Sequence, residues 1–284
     1  MRNRKGILWG IMLIVSLSGY AQLKGDTYAS AKQTKTATLV CSYHVAPGFV
    51  SKGTSGQMEG VCVDIMNRFT DYIEKTEGIK VTVKYEAKHS TDFAAFINEV
   101  KVSKGGVFGL SNTTITEARK KEYRFSPPYI TNVGMILSHE SVPTMTDLKD
   151  MPRLFAGMTA LTVKNTTHEA RLLKIKATYY PELPIKHINS PNESMEMVIN
   201  NPKLFSLYDF SFYLGALKDK KPIKRHPGGD STTEKFGIIM PKSNDWSVPL
   251  AEFMNAGFLE STEYRKILAD NLGANALKFL DNIK

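Results

Sequence analysis

Residues 113–129, TTITEARKKEYRFSPPY, hold a hydroxyl run, an acidic helix start, an arginine one turn in and a proline-stiffened aromatic exit. Thr116 followed by Glu117 reads as a helix start, since the hydroxyl caps backbone N–H groups and the acid sits favourably in the first turn. Arg119, three residues on, lies on the same face as Thr116. A hydroxyl, free N–H groups and a guanidinium converging at a helix N-terminus make a receptor for a small carboxylate, because the arginine fork grips both oxygens. A capped surface helix with a solvated arginine fits the same residues, so the rest of the chain has to decide. Pro127 and Pro128 punctuate the chain at this point and separate two series of elements.

Before the prolines, 37–43 reads as a strand, 61–75 has helical spacing, 79–85 alternates as a strand, 91–101 is an amphipathic helix and 106–110 is another strand. After them, 135–139, 157–161, 184–188 and 204–208 read as strands, with helices near 167–176, 191–199 and 210–218. A further strand is expected at 236–241, and the segment from Trp246 through Gly273 reads as helical. Strands and helices in alternation imply largely parallel sheets covered by helices, hence two α/β lobes with a cleft between them. The lobes are expected to be built from 37–130 with the return of 238–284, and from 131–237. PGGDS (227–231) lacks the lysine and strand-to-helix order of a phosphate loop and reads as a turn.

Ligands of open α/β sheets bind beyond the carboxyl ends of strands, and three polar clusters fall there. Ser111, Asn112 and Thr114 lead into the Arg119 helix; Asn165, Thr166 and Thr167 open the next with hydroxyls and exposed N–H groups; Asp209 follows strand 204–208. Two clusters suit an anion and Asp209 suits a cation, the pair of charges that an α-amino acid carries about 3 Å apart. A helix cap for FSFYLGAL is the competing role for Asp209.

The ends and composition narrow the class. MRNRKGILWGIMLIVSLSGYA orders basic, apolar and small residues as a secretory signal peptide does, with cleavage expected after Ala21. The apolar part is short of the ~20 residues that span a bilayer. Residues 22–36 are small and polar without periodicity and read as a flexible leader. The net charge is +9, but the lysines are scattered and no RNA-binding signature or zinc spacing accompanies them, so nucleic acid is not an expected partner. The six histidines show no metal-ligand spacing, and neither a metal nor a cofactor is expected. Cys41 and Cys62 are the only cysteines; a bridge closing about 20 residues would contribute ~3 kcal/mol, and two buried free thiols are the alternative.

The passage 113–129 resembles the "T-I-T-x-x-R … F-S-x-P-Y" block of the family 3 extracellular solute-binding proteins. GVCVDIM (60–66) is similar to that family's "G-F-D-x-D-L" block, NTT (165–167) to its "G-T-T", and LYDF (207–210) to the aspartate site of its second lobe. The resemblance spans roughly residues 37 to 273. It implies the two-lobed type II periplasmic binding-protein fold, each lobe a mixed, mostly parallel sheet flanked by helices. It also implies a monomeric, periplasmic receptor of an ABC importer, with the membrane permease as partner and an amino-acid-like ligand. On this resemblance Arg119, with Thr114 and main-chain groups, holds the ligand α-carboxylate. Asn112 and Asp209 take the ammonium, and Thr166 or Thr167 completes the carboxylate site. The chain departs from the family where Asn165 replaces a glycine, where Cys62 stands for an acid, and where Val45 falls at the usual aromatic platform. Tyr43, His44, Phe49 or Phe93 offers a replacement face. The same scaffold also resembles periplasmic dehydratases of prephenate or arogenate, for which Asp209 is the one candidate acid, and a sensor module is the third reading.

Overall fold

The strand Thr36–Tyr43 is buried along most of its length, as a parallel strand covered on both faces must be. In the computed structural model, which describes residues 22–86 and 88–282, it pairs in parallel with Lys80–Glu86 on one side and Val107–Leu110 on the other. Ile239–Pro241 joins antiparallel to Val107–Leu110, and Tyr123–Phe125 closes that edge. The helix Val61–Glu77 buries Ile65, Met66, Phe69 and Ile73 on this sheet and stops at Gly78, whose φ of +64° only glycine adopts freely. Phe69, Phe108, Trp246 and Phe253 pack edge-on or tilted in the core beneath it.

The second sheet has the order Ile223–Phe236, Ile130–His139, Leu204–Asp209, Thr159–Val163, Ile185–Ile188. Its own core gathers Ile136, Met145, Phe155, Leu172, Leu183 and Phe205. The chain passes from the first sheet to the second between Phe125 and Ile130 and returns between Phe236 and Ile239. The two crossing segments lie side by side, with Ile130 opposite Phe236, Thr131 opposite Lys235 and Asn132 opposite Glu234. Mixed sheets flanked by helices, joined by two adjacent crossings, make the type II binding-protein fold. No helix among the described residues is long and apolar enough to cross a membrane.

Three expectations are corrected or resolved. The flexible leader is folded: Tyr28–Thr34 is a helix capped by Thr27, Leu23 and Ala31 are buried, and Tyr28 lies 5.0 Å from Trp246. Asp26 accepts from Thr38 N at 2.7 Å, and its carbonyl accepts from Trp246 Nε1 at 2.8 Å. Sparse apolar residues hid this order, because a few side chains docking into an existing core need no periodicity; one buried leucine alone contributes about 1.5–3 kcal/mol. PGGDS is no turn but lies inside the strand Ile223–Phe236, with register shifts around Ser231. That strand forms the sheet edge, where proline costs no ladder bond, and Gly228 and Gly229 let it approach the Thr146 backbone and Ile136. Cys41 and Cys62 are both buried and free. The signal-peptide reading of residues 1–21 lies outside the described residues.

Candidate ligand-binding site

The carboxyl ends of the strands from both lobes face one cavity. His44, Phe93, Asn112, Thr114 and Arg119 line it from the first lobe, and Thr166, Thr167 and Asp209 from the second. The cavity encloses about 70 Å³ open to water. Larger hollows of about 450 and 1010 Å³ exist elsewhere, yet none of the groups from these strand ends reaches them.

Thr116 caps the short helix Glu117–Glu122 through its hydroxyl, which accepts from Arg119 N at 3.1 Å. That cap sets the helix start, and the Arg119 side chain turns back so that Nη1 donates to Thr114 O at 2.9 Å. Its guanidinium lies 5.2 Å from the centre of the Phe93 ring, a cation–π contact that holds the head flat against the wall. Burial lowers the Arg119 pKa from the ordinary arginine value, while Tyr123 and Glu234 act the other way. The remaining N–H groups of the fork bear no hydrogen bond among the described residues. Below this segment, the Tyr129 hydroxyl donates to Ser111 O at 2.9 Å and receives the Cys62 thiol at 3.4 Å. The thiol that stands where an acid is usual therefore braces the turn before Asn112.

On the opposite wall, Thr166 caps the helix Thr167–Tyr179. Its hydroxyl accepts from Glu169 N at 3.2 Å and donates to Val163 O at 2.7 Å, so it is committed to the cap. What this helix start offers a ligand is Thr167 and the first-turn N–H groups, which have no intrahelical acceptor. Asn165 adopts a φ of +62°, so the asparagine takes up the left-handed conformation that a glycine would supply.

Asp209 stands at the start of the helix Phe210–Lys218, yet its side chain makes no capping bond. It is only 6 % exposed, and both oxygens meet donors. Asn132 Nδ2 donates to Oδ1 at 2.6 Å and to Glu234 Oε2 at 2.8 Å. Asn112 Nδ2 donates to Oδ2 from across the cleft. His168 Nε2 lies 3.2 Å from Oδ1, at ion-pair distance but off the line of a hydrogen bond. Burial pushes the His168 pKa down, but the Asp209 charge outweighs it, helped by Glu234, and holds the group above its ordinary value.

His168, Asp209 and Glu234 bring ligand-type atoms within 4.8 Å of one another. An amide N–H₂ already bridges the two carboxylates, which is the chemistry of a hydrogen-bond network rather than of a metal centre. The sequence reading gave neither Asn132 nor His168 a place in the site. Asn132 comes from the crossing strand, which no motif marks. His168 directly follows Thr167, and its place in the first helical turn was the available signal. Tyr208 and Phe212, also cavity residues, looked like ordinary apolar positions of strand and helix.

Fold and site together define a two-lobed α/β protein whose cleft carries the Arg119 guanidinium on one wall and the Asp209 carboxylate on the other. The family model of the bacterial extracellular solute-binding proteins, family 3, matches residues 39–273, and the chain belongs to that family. A "Probable histidine-binding protein" of Neisseria gonorrhoeae is 25 % identical over 264 residues, 87 % of each chain. Among solved structures, an ancestral arginine-binding protein bound to glutamine has a TM-score of 0.65 at 21 % identity, covering 83 % of this chain and 98 % of that one. The arginine-, lysine-, histidine-binding protein ArtJ of Geobacillus stearothermophilus has a TM-score of 0.64 at 20 % identity, covering 85 % and 99 %. A substrate-binding protein of an ABC uptake transporter from Streptococcus pneumoniae with bound histidine has 0.67 at 15 %, covering 87 % and 96 %. At these identities the solved structures speak to the fold alone.

Proposed function

We propose that this protein captures a free α-amino acid outside the cytoplasm by closing its lobes around it, and hands it to the permease of an ABC importer. One observation carries the reading: Arg119 and Asp209, an anion receptor and a cation receptor, line the same cavity from different lobes. Arg119, Thr114 and the helix start at Thr167 take the α-carboxylate, and Asp209 with Asn112 takes the α-ammonium. Neither lobe alone holds both receptors, so the complete zwitterion site exists only with the cleft shut. The paired crossings Ile130–Asn132 and Glu234–Phe236 are the hinge on which the lobes swing. The protein acts as a monomer, with neither cofactor nor metal, and does no chemistry. Asp209 supports this, because both its oxygens accept hydrogen bonds, where a catalytic acid would present a proton.

Calorimetry and thermal-shift measurement with the twenty amino acids test the proposal. A ligand at 100 times its dissociation constant stabilises the closed form by ~2.7 kcal/mol, small-angle scattering then reports a more compact particle, and mass spectrometry recovers the ligand unchanged. Turnover of an accepted ligand that disappears in Asp209→Asn, with binding kept, would replace capture by a dehydratase-like activity.

A further inference from the structure

Besides the groups assigned to the zwitterion, Phe93, Phe212, Pro191 and Val163 line the cavity, with His44 and Asn189 among its further polar groups. Among the described residues Asp209 is the only carboxylate lining the cavity, and it is the one assigned to the α-ammonium. Neighbouring acids are engaged elsewhere. Glu193 receives Asn189, Glu234 receives Asn132, and Asp92 caps the helix Phe93–Val102 from an exposed position. The aromatic face nearest the anion receptor is also spoken for, because the Arg119 guanidinium lies over Phe93. A cationic side chain entering here meets no free carboxylate, finds that ring occupied by a like charge, and loses its hydration.

His44 lines the cavity, and its ring makes no hydrogen bond among the described residues. Its Nδ1 is buried and makes no hydrogen bond, while its ring stands edge-on to Phe93 at 5.5 Å. Burial pushes its pKa down to about 4, with only Asp92 acting against it, so near neutrality the ring is uncharged and can both donate and accept. Its other ring nitrogen, Nε2, carries no hydrogen bond among the described residues, so a ligand group at the cavity wall can pair with it.

We propose that the side-chain end of this cleft selects α-amino acids whose side chains are uncharged and carry a hydrogen-bonding group, that His44 reads that group, and that cationic side chains are rejected. This rests on the α-amino-acid reading above and adds the class of side chain to it. It sets the chain apart from the arginine- and lysine-binding proteins of similar fold.

The test is isothermal calorimetry on the mature protein with glutamine, asparagine, serine and threonine against arginine, lysine and ornithine. The expected result is that at least one uncharged polar amino acid binds, and at least tenfold more tightly than any cationic one. His44→Phe keeps a ring and removes the nitrogens; it should weaken the best of these ligands roughly tenfold and leave methionine or leucine unchanged or improved. His44→Gln, which restores a hydrogen-bonding group, should recover part of the loss. Tighter binding of arginine or lysine than of every uncharged ligand overturns the selectivity while leaving amino-acid capture standing. A His44→Phe protein with unaltered preferences removes His44 as the reader. If no amino acid binds the unmodified protein, the capture reading fails and this inference with it.

Discussion

Arg119 and Asp209 line one cleft from different lobes, and their surroundings differ. Arg119 spends one N–H on Thr114 O, and the rest of its fork bears no hydrogen bond among the described residues. Asp209 has both oxygens engaged by amides, one of them from the facing lobe, with His168 alongside. The two groups thus differ in what they have to spare: Arg119 keeps donors without a protein partner among the described residues, whereas Asp209 already accepts two amides, one of them from the facing lobe. On the proposed capture reading an ammonium would take the place of the Asn112 amide at Asp209, so the carboxylate end contributes most of the affinity and the ammonium end couples affinity to closure.

The largest effect should come from Arg119→Ala, since a desolvated charge pair that loses one partner costs ~2–5 kcal/mol. Affinity for the identified ligand should fall by a factor of roughly thirty to several thousand. Arg119→Lys should fall less far, keeping the charge without the fork. Calorimetry showing unchanged affinity in Arg119→Ala would take the residue out of the site and invert the comparison.

Asp209→Asn should cost less, about 1.5–3 kcal/mol for hydrogen bonds to a charged group, because the bound ammonium only replaces donors already present. If this variant loses more affinity than Arg119→Ala, the ammonium end dominates and the ordering drawn above is wrong. Asn112→Ala sharpens the point. It cuts the bond between the lobes, so scattering from the ligand-free protein should show a larger radius of gyration, with affinity altered by only about 1 kcal/mol. An unexpanded empty particle would show that Asn112 does not hold the cleft.

The smallest effects are those of pH, and two histidines of the second lobe pull in opposite directions. The folded pKa of His168 is raised, against the pull of burial, by the Asp209 charge. Its contribution to stability is complete below the unfolded value near ~6.5 and is lost as pH rises through the raised folded value. In Asp209→Asn that alkaline loss should vanish from melting curves recorded across pH. His226 behaves in the reverse sense. Burial, with Lys224, pushes its pKa down to about 4. Its Nδ1 accepts from Met145 N at 3.1 Å and Nε2 lies 2.7 Å from Ser138 Oγ. The unfolded chain therefore takes up the proton first, and stability should drop as pH falls from ~6.5 towards about 4. His226→Gln melting with the same acid dependence as the unmodified protein would dismiss this account.

His226 and His44 also show how little a histidine's letter says in isolation. His226 is buried and His44 partly so, and both are pushed down to about 4, but one has a partner on each nitrogen and the other has a buried Nδ1 with none. Only the arrangement of neighbours separates a core histidine from one at the cavity wall.

What the sequence determined by itself is what depends on short-range chemistry. Hydrophobic spacing placed most strands and helices, the Thr116 cap placed its helix start, and the polar residues after three strands pointed to Asn112, Thr114, Thr166, Thr167 and Asp209, which line the cavity, whereas Tyr43 and Phe49, offered as a ligand-covering face, do not. Tertiary structure decided the rest, and the reasons are physical. The leader folded because Tyr28 packs on Trp246 near the other end of the chain and Leu23 joins Val40 and Val107. PGGDS became strand because it sits at a sheet edge, which composition does not reveal. Asp209 left its capping position because Asn132, opposite Glu234 on the crossing strands, drew its carboxylate inward. Local preferences are worth about a kilocalorie each, and a buried carboxylate surrounded by donors outweighs one cap.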